Sequence, residues 1–443
     1  MRFLFVHQNF PGQFLHLVRH LIRQNVEEQA GHELVFISEP NQNVIPGVRR
    51  VSYRMPRTAS AETHGVAQEF ETATLRADMV AAAARTLRQL GFAPDIIIGH
   101  HGWGELLNLG DVFPDTPLLG YLEFYYHTDR FDVGFDPEFP SDPAMFPRVR
   151  AKNAVNLLAL TNRGHGQTPT LFQRSTYPDW AHERISVVRE GVDLEICAPD
   201  PAAFGRDFTL GDVRVAPGEK LVTYVARDLE PYRGFHKLMR ALPKILRTRR
   251  DARVIMVGGD GVSYGARLSE GTWRDYMLRE VGGQLDLSRV HFVGKLDYAS
   301  YAGLLKRSDA HVYLTYPFVA SWSLREAMAS GCAIVGSRTA PVEEFLEHRK
   351  TALLTPFHDP GQLADDVLEL LENRTLAQKL RHAARRQAER SLSMQDYLAS
   401  YEALIGQLTG IAPAARRQAS DAPRAGRRAA ALRVARHGLR PSG

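Results

Sequence analysis

The chain has 443 residues, 44% hydrophobic and 24% charged, with 55 Lys and Arg against 50 Asp and Glu. This composition excludes a disordered, collagenous or coiled-coil chain, and the length provides for two or three domains with cores of their own. The formal +5 is unevenly spread: Ile411–Gly443 holds eight Arg and one acid, Asp421, a +7 that leaves the preceding 410 residues at −2, which argues against a nucleic-acid-binding body.

In chain order, Arg2–His7 reads as a first strand and Gln13–Asn25 as an amphipathic helix. MRFLFVHQNF lacks the long apolar core of a secretion signal. Glu33–Ile37 is strand-like again, Val66–Leu90 predicts a long Ala-rich helix, and Asp95–Ile98 a buried strand. Leu118–Phe124 and Ile185–Val188 continue the strands, with a helical pattern over Pro147–Leu160 between them. The Pro- and Gly-rich stretch from Cys197 to Lys220 predicts a linker. A second series follows, with strands at Leu221–Ala226, Arg253–Val257, Val290–Val293, Ala310–Leu314 and Ala333–Val335. Its helices are Gly234–Arg247, Tyr298–Ser308, Ser323–Ser330 and Gln362–Glu372, and only helices run on to about Leu408.

No run approaches the roughly 18 apolar residues that span a bilayer. Cys197 and Cys332 stand far apart, which excludes a disulfide scaffold and a zinc pattern and points to reduced thiols in the cytoplasm. The fold class predicted is α/β: two Rossmann-like doubly wound domains facing a central cleft, plus C-terminal helices, with ligands at the carboxyl ends of the strands. The expected division is 1–205, 206–390, a C-terminal helix at 391–410 and a basic, disordered tail at 411–443.

Four constellations carry chemistry. In VARDLEPYRGF, Arg227 and Arg233 flank a strand-to-helix turn, where two guanidinium forks and a helix N-terminus can converge on a phosphate. Ion pairing with Asp228 and Glu230 is the competing reading. The glycine cluster Val257–Gly265 is neither a P-loop nor a dinucleotide fingerprint, and by itself reads as a turn. In Tyr313–Gly331 a strand leads into a helix beginning near Ser321 or Ser323, with Glu326 in its first turn. The Ser323-to-Glu326 spacing also fits a simple capping box. Finally, HQNFPGQ, GHHGWGE and GYLEFYYH each follow a strand, which makes His7, His100, His101, Glu123 and His127 candidates for the cleft.

Val225–Gly234, Val257–Gly261, His291–Gly294 and Tyr313–Gly331 together resemble the second domain of the retaining glycosyltransferases of family 4, which have the GT-B architecture. MRFLFVHQNFPGQF, HHGWGE, LEPYRGF and TYPFVASWSLREAMASG are similar to one branch, which has the family 4 group 3 N-terminal domain. The resemblance implies transfer of a sugar from a nucleotide diphosphate sugar to a glycan or lipid-linked acceptor in polysaccharide biosynthesis. No metal is expected, because Arg227, Arg233 and helix N-terminal amides can stabilise the diphosphate leaving group, and neither a cofactor nor a nucleic-acid partner is expected. Arg227 and Arg233 would hold the donor phosphates, Arg233 standing where the family usually has Lys. Glu326 would take the ribose hydroxyls, and Phe318 occupies the position of the family's first Glu. Gly12, Gly259, Gly294, Ser321, Trp322 and Ser323 would line the donor, and backbone near Phe292–Leu296 would read the nucleobase. Glu123 falls near a catalytic-site His of many members, so it joins Arg227, Arg233 and Glu326 as catalytic. His7, His100, His101 and His127 would lie on the acceptor side.

Two alternatives stay open: another GT-B enzyme, such as a phosphorylase or a nucleotide-sugar epimerase, and a sugar-nucleotide-binding protein without catalysis. The basic tail would add weak attraction to an anionic membrane surface, at about 1 kcal/mol per basic residue. It suits an enzyme in the cytoplasm, peripheral at the inner face of the membrane.

Overall fold

The computed structural model describes residues 1–161 and 164–411. The expectations for the basic tail therefore lie, beyond Ile411, outside the described residues. The first sheet has seven strands: β1 (Arg2–Val6), β2 (Glu33–Ser38), β3 (Val48–Ser52), β4 (Ile96–His100), β5 (Leu118–Tyr121), β6 (His165–Thr168) and β7 (Ile185–Val187). A hairpin of β8 (Phe208–Leu210) and β9 (Val213–Val215) sits within the stretch predicted as linker. The second sheet has β10 (Lys220–Asp228), β11 (Ala252–Gly259), β12 (Val290–Phe292), β13 (Ala310–Tyr313), β14 (Ile334–Ser337) and β15 (Leu353–Thr355).

Both large sheets are parallel throughout, ordered 3-2-1-4-5-6-7 and 12-11-10-13-14-15. Each is doubly wound about its first strand, so each has a switch point where the direction of winding reverses. In the first sheet this lies between β1 and β4, and in the second between β10 and β13.

The run Phe3-Leu-Phe-Val6 shows why the sheets are buried on both faces. Phe3 and Phe5 join a cluster with Phe14, Leu17 and Val18, while Leu4 and Val6 pack with Val80, Ala81 and Ala84 of the helix Gln68–Gln89. Alternate side chains serve opposite layers, and both must be apolar.

The described residues do not end on the second domain. The helix Arg374–Ser391 packs there, placing Ala384 and Ala388 among Leu324, Met328 and Phe345. The helix Met394–Thr409 then crosses back and lays Tyr397, Tyr401, Leu404 and Ile405 against Phe3, Phe5, Phe14 and Leu17. Glu402 fixes its register by accepting from His20 at 2.7 Å and Gln24 at 2.8 Å.

Candidate active site

The two switch points face one another across the cleft. On the first domain, His7 follows β1 and His100 ends β4, and their rings meet edge to face at 5.3 Å. The α-carbon of Gly12 lies over His7. Its φ is +54°, and a Cβ there would come within 2.9 Å of the imidazole, so only glycine lets the loop close on the ring. His7 Nδ1 accepts the Asn9 amide at 2.8 Å, which places the ring proton on Nε2. Burial and then His100 push the His7 pKa down to about 3, so it is neutral.

His100 is stacked between Tyr121 and Trp103 at 5.3 and 5.9 Å. Its Nε2 lies 3.8 Å from the Glu123 carboxylate. Burial pushes the Glu123 pKa up, but His100, Arg227 and Arg233 together outweigh it and hold the group below its ordinary value. Glu123 is thus the first-domain carboxylate that feels the two second-domain arginines.

On the second domain, β10 breaks register with β11 between Val225 and Asp228. Such a bulge re-aims side chains, and Arg227 within it is exposed. Arg233 is buried, its Nη1 donating to Thr315 Oγ1 at 2.8 Å and to the Val319 carbonyl at 2.9 Å. Tyr264 lies under both guanidinium groups, at 5.8 Å from Arg227 and 4.9 Å from Arg233. Gly234, at φ +67°, then starts the helix Phe235–Thr248.

The competing ion-pair reading fails. Asp228 accepts from the Ser263 hydroxyl, and Glu230 from the backbone amides of Ser263, Tyr264 and Gly265 at 2.9–3.2 Å. Both carboxylates are spent on shaping the glycine loop. Among the described residues, neither Arg227 nor Arg233 has an ion-pair partner.

The helix Trp322–Ala329 has Ser321 as its N-cap, so Glu326 lies beyond the first turn and the capping box does not form. Glu326 instead accepts from Tyr298 at 2.9 Å and Tyr301 at 2.8 Å. Burial leaves its pKa above the ordinary value despite these bonds. The Ser321 amide donates to Tyr313 OH, and the Ser321 and Ser323 hydroxyls bond each other at 2.6 Å. Trp322 reaches across to the first domain, its Nε1 donating to Glu190 at 2.8 Å. Tyr298, Trp322 and Glu326 line a cavity of about 40 Å³ together with His16, Glu190 and Arg325, room for a few waters.

Several expected site residues are placed differently. His101 is buried beneath Gly120, in a small space lined by Leu118, Leu122, Ala159 and Leu160. His127 is tied down, its Nε2 donating to the Thr176 carbonyl at 2.7 Å and its Nδ1 accepting from Arg130. Gly259 packs on Asp228, and a Cβ there would come within 2.6 Å of its carboxylate. Gly294, at φ +66°, has open space around it. Phe318 packs on Phe124 of the first domain at 4.7 Å and on Tyr264 at 5.2 Å, an apolar contact at the position that the resemblance matches to a carboxylate.

Sequence reasoning missed Glu190. It accepts from Trp322 and from Tyr121 at 3.3 Å and forms an ion pair with Arg325 at 3.0 Å, and so joins the two domains. No local pattern marks it, since its partners come from two distant segments, the strand ending at Tyr121 and the helix Trp322–Ala329. Among the described residues, Asp136, Glu138 and His236 bring ligand-type atoms within 4.8 Å of one another. Lys237 and Arg240 already supply positive charge there.

Comparison with known proteins agrees with this geometry. Residues 30–197 match the family described as Glycosyl transferase family 4 group, and residues 208–387 match Glycosyl transferases group 1. Glycogen synthase of Mycobacterium tuberculosis (strain CDC 1551 / Oshkosh) is 30% identical over 201 residues, 45% of this chain and 43% of that protein. D-inositol 3-phosphate glycosyltransferase of Corynebacterium efficiens is 27% identical over 195 residues, 43% of each. The chain spans less than half the length of the curated relatives it matches. Among solved structures, sucrose-phosphate synthase from Thermosynechococcus elongatus superposes with a TM-score of 0.69 at 18% identity, covering 93% of this chain and 99% of that one. Anabaena Alr3699/HepE in complex with UDP-glucose gives 0.63 at 17% identity, over 92% and 100%.

The twin sheets and the facing switch points define the class, the GT-B fold. Within that class the chain belongs to family 4, in the branch with the group 3 N-terminal domain.

Proposed function

We propose that this chain transfers a sugar, with retention at the anomeric carbon, from a nucleotide diphosphate sugar to a glycan or lipid-linked acceptor, without a metal. The observation that carries the reading is the pair Arg227 and Arg233, free of carboxylate partners among the described residues and facing Glu123 across the cleft. A UDP-glucose complex of a protein with the same fold supports a nucleotide-sugar donor.

Each residue then has a task. Arg227 and Arg233 stabilise the charge that grows on the leaving diphosphate, the role a metal would otherwise play. Glu326 is the proposed ribose acceptor, exchanging the Tyr298 and Tyr301 hydroxyls for those of the sugar. His7 offers an Nε2 proton to a donor or acceptor oxygen. Glu123 stays ionised, so it orients an acceptor hydroxyl and is too weak a base to remove its proton alone. The departing phosphate is the proposed proton acceptor, and no protein nucleophile is assigned.

Three measurements test this. A thermal-shift panel of UDP, GDP, ADP and their sugars is expected to raise Tm for one nucleotide series. The Arg233→Ala variant is expected to lose about 10²–10³ in kcat, and Arg233→Lys less. Turnover is expected to survive EDTA; activity that returns only with Mg²⁺ or Mn²⁺ would remove the metal-free mechanism. Membrane attraction is also part of the proposal: deleting residues after Thr409 is expected to weaken binding to anionic liposomes.

A further inference from the structure

Between β5 and the helix Phe146–Ala151, the first domain sends out the segment FDVGFDPEF, residues 131–139. A Phe-Asp pair stands at 131–132 and again at 135–136. The segment leaves its own domain and runs onto the second. Phe131 holds φ +67°, a strained value for an aromatic residue, and packs on Phe172 of its own domain at 5.6 Å. Phe135 then packs on Tyr316, and Phe139 on Trp273, both of the second domain.

The acids between them each take donors from the second domain. Asp132 accepts from Tyr232 OH at 2.9 Å. Asp136, with no exposed side-chain surface, accepts from His236 Nε2 at 2.8 Å and Tyr316 OH at 3.2 Å, with Lys237 Nζ at 3.3 Å. Glu138 forms a fork with Arg240 at 2.5 and 2.6 Å. Tyr232, His236 and Arg240 recur every four residues, the spacing of one helical face.

These partners bracket Arg233. Tyr232 precedes it and His236 follows three residues later. Tyr316 adjoins Thr315, whose hydroxyl accepts from the Arg233 guanidinium. Tyr232 and Tyr316 are stacked at 4.5 Å. Asp132 and Asp136 therefore hold, from outside, the same two segments that Arg233 joins from inside.

We propose that segment 131–139 is a positioning strap, and that Asp132 and Asp136 of the first domain set the place of Arg233 in the second. The proposal rests on the reading of Arg233 as a diphosphate ligand. Neither acid touches the substrate; each acts through the segments it grips.

The test uses the full chain and whichever of UDP, GDP and ADP it binds most tightly. Asp136→Asn is the direct variant. Tyr316→Phe and Tyr232→Phe each remove one strap bond and leave the ring packing, so they report even if Asp136→Asn folds poorly. Each is expected to raise the nucleotide Kd about tenfold while the protein still melts cooperatively. Placed on Arg233→Ala, the same changes are expected to add less than twofold, because the strap acts through that arginine. An unchanged Kd in folded Tyr316→Phe and Tyr232→Phe would overturn the proposal, as would a full tenfold loss on top of Arg233→Ala. If the unaltered chain binds none of the three nucleotides, the diphosphate reading fails by itself. Hydrogen exchange then decides the strap: faster exchange at both 232–240 and 314–319 in Tyr316→Phe upholds it, and unchanged exchange overturns it.

Discussion

Glu105 has no exposed surface, and its Oε1 accepts the Gln8 amide at 3.2 Å. Burial pushes its pKa up to about 7, with Arg76 and His100 offsetting part of the effect. The folded value lies above the unfolded one, so the neutral carboxyl is tolerated and the charged one costs stability as pH rises from about 4.5 to 7. Glu105→Gln is therefore expected to raise Tm at pH 8 and to make little difference at pH 4.5; an equal shift at both would show another cause. The buried histidines run the other way. Burial holds His101 and His311 near 4 and His7 near 3, so below about 6.5 the unfolded chain takes protons that the folded one refuses. Calorimetry at pH 5 in buffers of different ionisation enthalpy is expected to register proton uptake on unfolding. The sequence made residue types and strand ends legible, and so found His7, His100, Glu123, Arg227 and Arg233. It did not make side-chain direction legible. His100 and His101 are neighbours, yet one faces Glu123 and the other the layer beneath Gly120.

Elements were legible where an apolar run was long enough to declare itself, as in β1, β10 and β11. The strands β3 (VRRVS), β6 (HGQT) and β15 (LLT) are short, and two of them are polar, so pairing in the sheet and not local pattern makes them strands. The hairpin of β8 and β9 was hidden by the Pro and Gly residues around it. At the start of the helix Phe235–Thr248, the glycine predicted by the motif has a double reason. Gly234 is left-handed, and a Cβ there would lie 2.4 Å from Leu314 Cβ. Backbone strain alone costs about 1–2 kcal/mol. Gly234→Ala is expected to lose at least that much stability in denaturant titration and to weaken nucleotide binding by displacing Arg233. Full binding in that variant would detach the helix start from the site.

The whole molecule is a pair of domains joined in more places than the sequence announced. Glu190, the strap at 131–139 and the contact of Phe124 with Phe318 all cross the cleft, and one apolar cluster contains residues of both domains. Alternating strands and helices predicted the two sheets; nothing local could predict contacts whose partners lie about 100 residues apart or more. The apolar stripe of the last helix was visible, but a stripe does not name the surface it covers. A chain ending at Leu392 is expected to melt in two calorimetric steps, the first domain going first, because Phe5, Phe14 and Leu17 lose their cover. A single step at the full-length temperature would show that the helix adds nothing.

That returning helix also bears on how the protein is made. The last strand of the first sheet ends at Val187, but its hydrophobic layer is completed only by residues up to Thr409. At about 5–20 residues per second, a translating ribosome needs roughly 10–45 seconds to supply them. For that interval the nascent first domain carries an uncovered apolar face over β1 while the second domain is still emerging. Synthesis from the N-terminus thus delivers the first domain's sheet early and its cover last, which makes that face the natural place for a chaperone to wait.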